Sequence, residues 1–403
     1  MPTSPSDTNI FETPLGGQMF SLAANALAGE PVDALTARLT QAAANRHLLP
    51  VQASVFCDPS LGIARHGRGI AGGGGSPAAD LPAADSAGAF PVTFLGHHET
   101  PRGCVTSARL VAVPRSIGSL PVFDGRGAIC GRAWETDSAR YLLLGALTPP
   151  DASASREQQA ADTWNLLKAR LEQSGFALGN LVRTWFHNDH ILEWYDVFNR
   201  ARNAFFTEHN IFGTLVPAST GVGACNAAGT ALTVDALAIA PKRAPGGGAL
   251  LDVRAVTSPL QCPAYNYLSA FSRAVEYAPA AAPSSVPAPS PSPLRHMLVS
   301  GTASIEPGGA TINQGDLDAQ IDLSVRVVGA ILKSRGMDWG DTARAILYFP
   351  KIEWMARWEA RRVALGLPPI PAIYAHCDIC RADLLFEIEI DACAGAPHGK
   401  ALS

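Results

Sequence analysis

The sequence predicts an α+β fold made of two tandem copies of one unit, each a mixed β-sheet with its helices packed on one face. Three observations predict it: a core-forming composition, a set of segments that recurs in the same order, and a hydrophobic period that switches between two and 3.6 within each copy. Hydrophobic residues make up 47% of the 403-residue chain and charged residues 16%, so burial rather than disorder is expected. One core rarely organises more than about 300 residues, so more than one unit is expected.

The recurring order is strand, helix, strand, helix, strand. Residues 141–147 (YLLLGAL) match 297–303 (MLVSGTA), each an apolar run ending in small residues. Residues 159–175 match 320–336; both are amphipathic and end on a glycine, a helix stop. Residues 181–188 (LVRTWFHN) and 342–349 (TARAILYF) read as strands, 192–209 and 352–365 as helices, and 232–239 and 384–392 as closing strands. The expected division is an extension over 1–45 with an amphipathic helix at 32–44, a first unit over 46–245, and a second over 246–403. The stretches 69–84, 241–249 and 278–293 are rich in Gly, Pro, Ala and Ser and read as loops, the last as an insertion within the second unit.

A net charge of −4 excludes a broad basic surface for nucleic acid. No run approaches the ~18 apolar residues of a membrane span, and the first 14 residues lack a basic, then apolar, leader pattern, so a cytoplasmic location is expected. Cys377 and Cys380 form a C-x-x-C with no second pair at ligand spacing; His187 and His190, with Asp189, could be drawn as a metal cluster, but they follow a strand directly and no further ligand group is evident. These histidines, with His97, His98 and His209, therefore read as polar loop residues, and no metal is expected. Serine-hydrolase chemistry has no G-x-S-x-G elbow to rest on.

Two patterns carry candidate chemistry. Tyr195 and Arg202 are seven residues apart on an expected helix, hence on one face. Along 384–392 the even positions are apolar, whereas Glu387, Glu389 and Asp391 share the other face. Periodicity alone reads that acidic face as solvated.

Residues 271–275 (FSRAV), 299–306 (VSGTASIE) and 386–389 (FEIE) resemble the opening hairpin and closing strand of the RidA/YjgF (chorismate-mutase-like) superfamily. Imine deaminases of that superfamily carry an arginine just after a Pro-Ala pair; here Pro371 and Ala372 are followed by Ile373 and Tyr374. Within the superfamily, 194–205 (WYDVFNRARNAF), 217–226 (PASTGVGACN), 300–305 (SGTASI) and 380–389 (CRADLLFEIE) resemble the chorismatases, over most of 95–393. The resemblance implies a cofactor-independent enzyme that splits chorismate into pyruvate and a ring product. It implies Glu387 as the acid that protonates the enolpyruvyl methylene, and Tyr195, Arg202, Tyr267 and Arg273 as substrate contacts, with Tyr265 an alternative to Tyr267. A cysteine at Cys380 resembles the 3-hydroxybenzoate-forming branch; Ala303 stands where that branch has glycine and resembles the hydrolase branch. The expected product is 3-hydroxybenzoate, with 4-hydroxybenzoate beside it left open. The alternatives are a hydrolase giving a dihydroxycyclohexadiene carboxylate, a RidA-type imine or enamine hydrolase, and a non-catalytic aromatic-acid sensor. A monomer is expected.

Overall fold

A computed structural model describes residues 10–63, 89–264, 269–280 and 294–395. It contains three six-stranded sheets rather than two. The first is built from β1 (Phe11–Pro14), β2 (Phe20–Asn25), β3 (Leu48–Cys57), β4 (Val92–Gly96) and β5 (Val105–Pro114), with the helices α1 (Val32–Asn45) and α2 (Pro59–Ile63). The second uses β6 (Leu120–Phe123), β7 (Ile129–Glu135), β8 (Ala139–Leu147), α3 (Arg156–Gln173), β9 (Leu181–Asn188), α4 (Tyr195–Glu208) and β10 (Ala218–Gly223). Chain order then brings β11 (Cys225–Asn226), which pairs with β4 of the first sheet, before β12 (Leu232–Pro241) closes the second. The third comprises β13 (Leu251–Val256), β14 (Ala274–Pro279), β15 (Arg295–Ala303), α5 (Leu317–Ser334), β16 (Thr342–Phe349), α6 (Arg357–Ala364), β17 (Ala372–His376) and β18 (Glu387–Ala394).

The two expected units are the second and third sheets. Their strand orders, β6-β7-β8-β12-β9-β10 and β13-β14-β15-β18-β16-β17, are the same, each with one parallel pair at its far edge. The first sheet repeats that order with one edge strand fewer, β1-β2-β5-β3-β4, again with a parallel pair, β3 and β4. The residues set aside as an extension over 1–45 therefore supply β1, β2 and α1, and the boundary at 45 cuts one sheet between α1 and β3. The third repeat is harder to see because its matching strand, FSLAAN, lacks the glycine that Gly145 and Gly301 supply in the other two, and its second helix is described only over Pro59–Ile63. The stretch 69–84 lies outside the described residues; 241–249 is a turn held by Ala244 N–H to the Gly248 carbonyl at 2.8 Å. Of 278–293, Ala278 and Pro279 end β14, and 281–293 lie outside the described residues.

Helix faces follow the apolar periods. Trp164, Leu167 and Leu171 of α3 and Phe198, Phe205 and Phe206 of α4 cover one face of the second sheet, while Ile321, Val328 and Ile331 of α5 and Trp358 of α6 cover the third. Leu35 and Leu39 of α1 do the same for the first. The helix-free faces of the three sheets pack against one another: Val51 and Val111, Leu143 and Leu237, Val275 and Leu298 meet in a shared centre. Among the described helices, none is long and apolar enough to cross a membrane.

Candidate active site

The closing strand β18 has its apolar face, Ile388 and Ile390, under α5 and α6, so the other face turns toward the neighbouring sheets. Glu387, Glu389 and Asp391 are thus buried, not solvated; a period-two pattern does not distinguish water from another sheet. Arg183 of β9 and Arg344 of β16 come in beneath them, both 1% exposed or less. Arg183 Nη2 donates to Glu389 Oε2 at 2.8 Å, Arg344 Nη1 to Glu389 Oε1 at 2.6 Å, and Trp185 Nε1 to the same Oε1 at 2.9 Å. Arg344 also holds Asp391 with two bonds, Nε to Oδ2 at 2.7 Å and Nη2 to Oδ1 at 2.8 Å. No alternation rule flags these arginines, because each sits inside a strand that reads as apolar.

Two residues apart on one strand, Glu387 and Glu389 are driven in opposite directions. Burial raises Glu389, but Arg183 and Arg344 together outweigh it and hold its carboxyl far below the usual range. Burial pushes Glu387 up to about 8, the Glu389 charge adds to the rise, and the more distant pull of Arg183 does not offset them. Separation of this kind gives one carboxylic acid and one fixed carboxylate at neutral pH.

The protonated Glu387 opens into a cleft of about 520 Å³, mouth included, between the second and third units. Its lining includes Tyr195 and Arg202 from α4, Arg273 beside β14, Ala303 of β15, and Cys380 and Arg381 from the loop before β18. Six of the seven sequence-predicted site residues therefore meet in one place; the seventh, Tyr267, lies with Tyr265 outside the described residues. Arg202 is 2% exposed, donates to Asn199 Oδ1, and lies 5.2 Å over the Phe198 ring. Arg273 is held by Nε and Nη2 to the Cys262 carbonyl at 3.1 and 2.9 Å. Each cation is braced by the chain in advance, which lowers the ordering cost of gripping an anion.

Backbone geometry places the acid. The pairing of β15 with β18 slips between Val299 and Thr302, and this bulge turns Gly301 under Glu387. A Cβ on Gly301 would lie 1.9 Å from Glu387 Oε1, so only glycine leaves room for the carboxyl. Gly301 N–H donates to Thr220 Oγ1 at 3.0 Å, and Ser219 N–H to Ser300 Oγ at 2.9 Å, which sew the bulge to β10 of the second unit. Cys380 sits beside Glu387: burial pushes its thiol up to about 12, Glu387 adds to that, and hydrogen bonding to Tyr195 does not reverse it. It is a neutral thiol, not a nucleophile.

The sequence missed several lining residues. Ser219, Gly221, Ser269, Phe271 and Arg381 share the cleft, and Arg381 Nη1 reaches the Gly309 carbonyl at 2.8 Å. Arg381 directly follows Cys380 in the stretch CRADLLFEIE. His187 is buried at 3% exposed, and burial lowers its ring to about 4, so it is neutral core rather than polar loop. The other expected loop histidines separate: His209 packs edge-on against Phe205, while His98 joins Asp189 and His190, supplying the third ligand-type group that sequence proximity did not show.

No family model matches the sequence, and no curated protein matches it. Among solved structures, a chorismatase crystal structure is similar over 86% of this chain and 93% of its own, at 19% identity and a TM-score of 0.56. Yeast Mmf1 is similar over 35% of this chain and 98% of its own (14% identity, TM-score 0.27), and the YjgF gene product of E. coli over 25% and 80% (22%, 0.22). The chain thus shares the α+β fold of repeated sheets with the chorismatase structure.

Proposed function

We propose that the chain is a chorismatase, and that Glu387 protonates the enolpyruvyl methylene carbon of chorismate. The observation that carries the reading is a buried, protonated carboxyl opening on a cleft that also presents Arg202 and Arg273. Carbon protonation needs an acid that keeps its proton near pH 7, and a pKa of about 8 supplies it. Chorismate carries two carboxylates, which suit two braced guanidinium groups better than the single small acid of an imine hydrolase. A non-catalytic sensor of a dianion gains nothing from an acid at that point. Ile373 and Tyr374 following the Pro-Ala pair also count against the imine-hydrolase reading.

Transfer of the Glu387 proton to the methylene leaves an oxocarbenium ion at the ether carbon. Capture by a ring hydroxyl, followed by loss of pyruvate and aromatisation, gives hydroxybenzoate plus pyruvate with no net water. Capture by water instead consumes one water and gives the dihydroxycyclohexadiene carboxylate. In both routes the proton lost at capture returns to Glu387, and neither route requires a cofactor. Cys380, a neutral thiol beside the acid, matches the 3-hydroxybenzoate-forming branch that the sequence resembles, whereas Ala303, packed in the same cluster as Cys380, matches the hydrolase branch. We retain 3-hydroxybenzoate as the principal product, with 4-hydroxybenzoate the companion to look for.

Three sheets closing on one shared centre bury their helix-free faces within a single chain, which supports a monomer. Eight free cysteines support a reducing, cytoplasmic setting. Mixing the purified protein with chorismate, following pyruvate and separating the ring products by chromatography tests the reading. Pyruvate with an equal amount of hydroxybenzoate is expected; no pyruvate overturns it, and pyruvate with only the dihydrodiol moves it to the hydrolase branch.

A further inference from the structure

The turn after β9 and the turn after β4 meet at the surface, and three metal-ligating side chains converge there from positions far apart in sequence. His98 Nε2 lies 2.6 Å from Asp189 Oδ1, and His190 Nδ1 lies 3.7 Å from the same oxygen. The two imidazole rings stand 4.1 Å apart, centroid to centroid. All three ligand atoms fall within 4.8 Å of one another. We propose that His98, Asp189 and His190 form a binding site for one divalent first-row transition metal, zinc foremost, that ties the first unit to the loop leading into α4.

The donor chemistry selects that class. Two neutral imidazoles and one carboxylate suit zinc and its neighbours, whereas calcium and magnesium prefer oxygen throughout. Zinc bonds of about 2.0–2.2 Å need ligand atoms roughly 3.3 Å apart, a spacing that small side-chain rotations reach from 2.6 and 3.7 Å. Metal entry replaces the hydrogen bond between His98 and Asp189, and solvent fills the fourth position, since all three side chains are at least partly exposed.

The backbone holds the set in place before any ion arrives. Asp189 N–H donates to the Ala231 carbonyl at 2.8 Å, and its own carbonyl accepts from Trp194 Nε1 at 2.8 Å. His190 adopts the left-handed conformation, φ 50° and ψ 49°, which a residue with a Cβ takes only at a cost of about 1 kcal/mol or more. That twist carries the histidine ring back over His98. Five residues later α4 begins with Tyr195, so an ion here would anchor the entry to the helix that lines the cleft. The proposal stands independently of the reaction assigned to that cleft.

The test uses the full chain, stripped with a chelator and titrated with Zn²⁺ by calorimetry, then with Co²⁺ by absorption. One equivalent of zinc is expected to bind and to raise the melting temperature. His98→Ala and His190→Ala are each expected to weaken it at least about tenfold. The bound cobalt should show d–d bands without the thiolate charge-transfer band that coordination by any of the eight cysteines would give. Because all three side chains lie at the surface, metal-free His98→Ala should melt as the parent does. Absence of binding, unchanged affinity in both histidine variants, or a thiolate band would overturn the proposal.

Discussion

The same strand position occurs three times in this molecule, and only one copy carries an acid. Pairing with the central strands aligns Glu387 (opposite Tyr348) with Thr233 (opposite His187) and Ser107 (opposite Phe56). The alignment is supported by a slip in register at the same place in each pair, beside Arg344, Arg183 and Gln52. At the two other positions the hydroxyl is spent on a backbone carbonyl: Thr233 Oγ1 donates to Leu147 at 3.1 Å and Ser107 Oγ to Tyr374 at 2.6 Å. Among the described residues, the first unit has α2, PSLGI, without tyrosine or arginine, where the second has the 14-residue α4 that bears Tyr195 and Arg202. A repeated fold thus supplies three equivalent junctions, and chemistry needs an acid and a cation-bearing helix at the same one.

Loss of a cleft cation is expected to act mainly on substrate binding. Arg273→Ala removes charge-assisted bonds worth about 1.5–3 kcal/mol, so KM for chorismate should rise roughly 10- to 100-fold in steady-state assays. Next is the glycine pair at the bulges. Gly301→Ala puts a methyl group on the carboxyl of Glu387 and should lower kcat by about two orders of magnitude, the scale of a misplaced acid. Its counterpart Gly145→Ala meets Cγ of the buried Gln52 at 3.0 Å, outside the cleft lining, and should change turnover at most a few-fold.

The pH dependence separates the acid from its neighbours. The proposed mechanism needs Glu387 protonated, and burial pushes it up to about 8, so pyruvate release should hold below that value and fall above it. The same shift sets a stability slope. Its folded pKa lies above the unfolded model value of 4.5, so the stability it contributes is full below 4.5 and is lost as pH rises toward about 8. Denaturant melts should accordingly show Glu387→Gln matching the parent near pH 4 and exceeding it at pH 7, by as much as about 3 kcal/mol. The smallest effects belong to the silent junctions. Thr233→Ala and Ser107→Ala should leave turnover within about twofold while lowering stability by about 1 kcal/mol each, the worth of one hydrogen bond.

Much of this arrangement was legible in the sequence. The strands over 181–188 and 342–349 and the helices between the paired strands follow from period and glycine stops, and they lie where expected. The cleft residues Tyr195 and Arg202 were readable as one helix face. Less legible was whatever depends on one sheet facing another. Glu389 looked solvated because nothing in β18 itself announces Arg183 and Arg344, which arrive from two different strands. The first unit went unrecognised because its surviving signals, α1 and a parallel strand pair, recur in many folds. His98 and Asp189 are 91 residues apart, a distance over which no spacing rule operates.

The central claim is that one buried carboxyl delivers the proton. It is tested most directly by single-turnover release of pyruvate from chorismate at pH 7, comparing the parent with Glu387→Gln while chorismate affinity is measured in parallel. The account predicts a fall of about 10²–10⁴-fold in release with affinity changed little. A Glu387→Gln protein that binds chorismate and still releases pyruvate at the parental rate would contradict it.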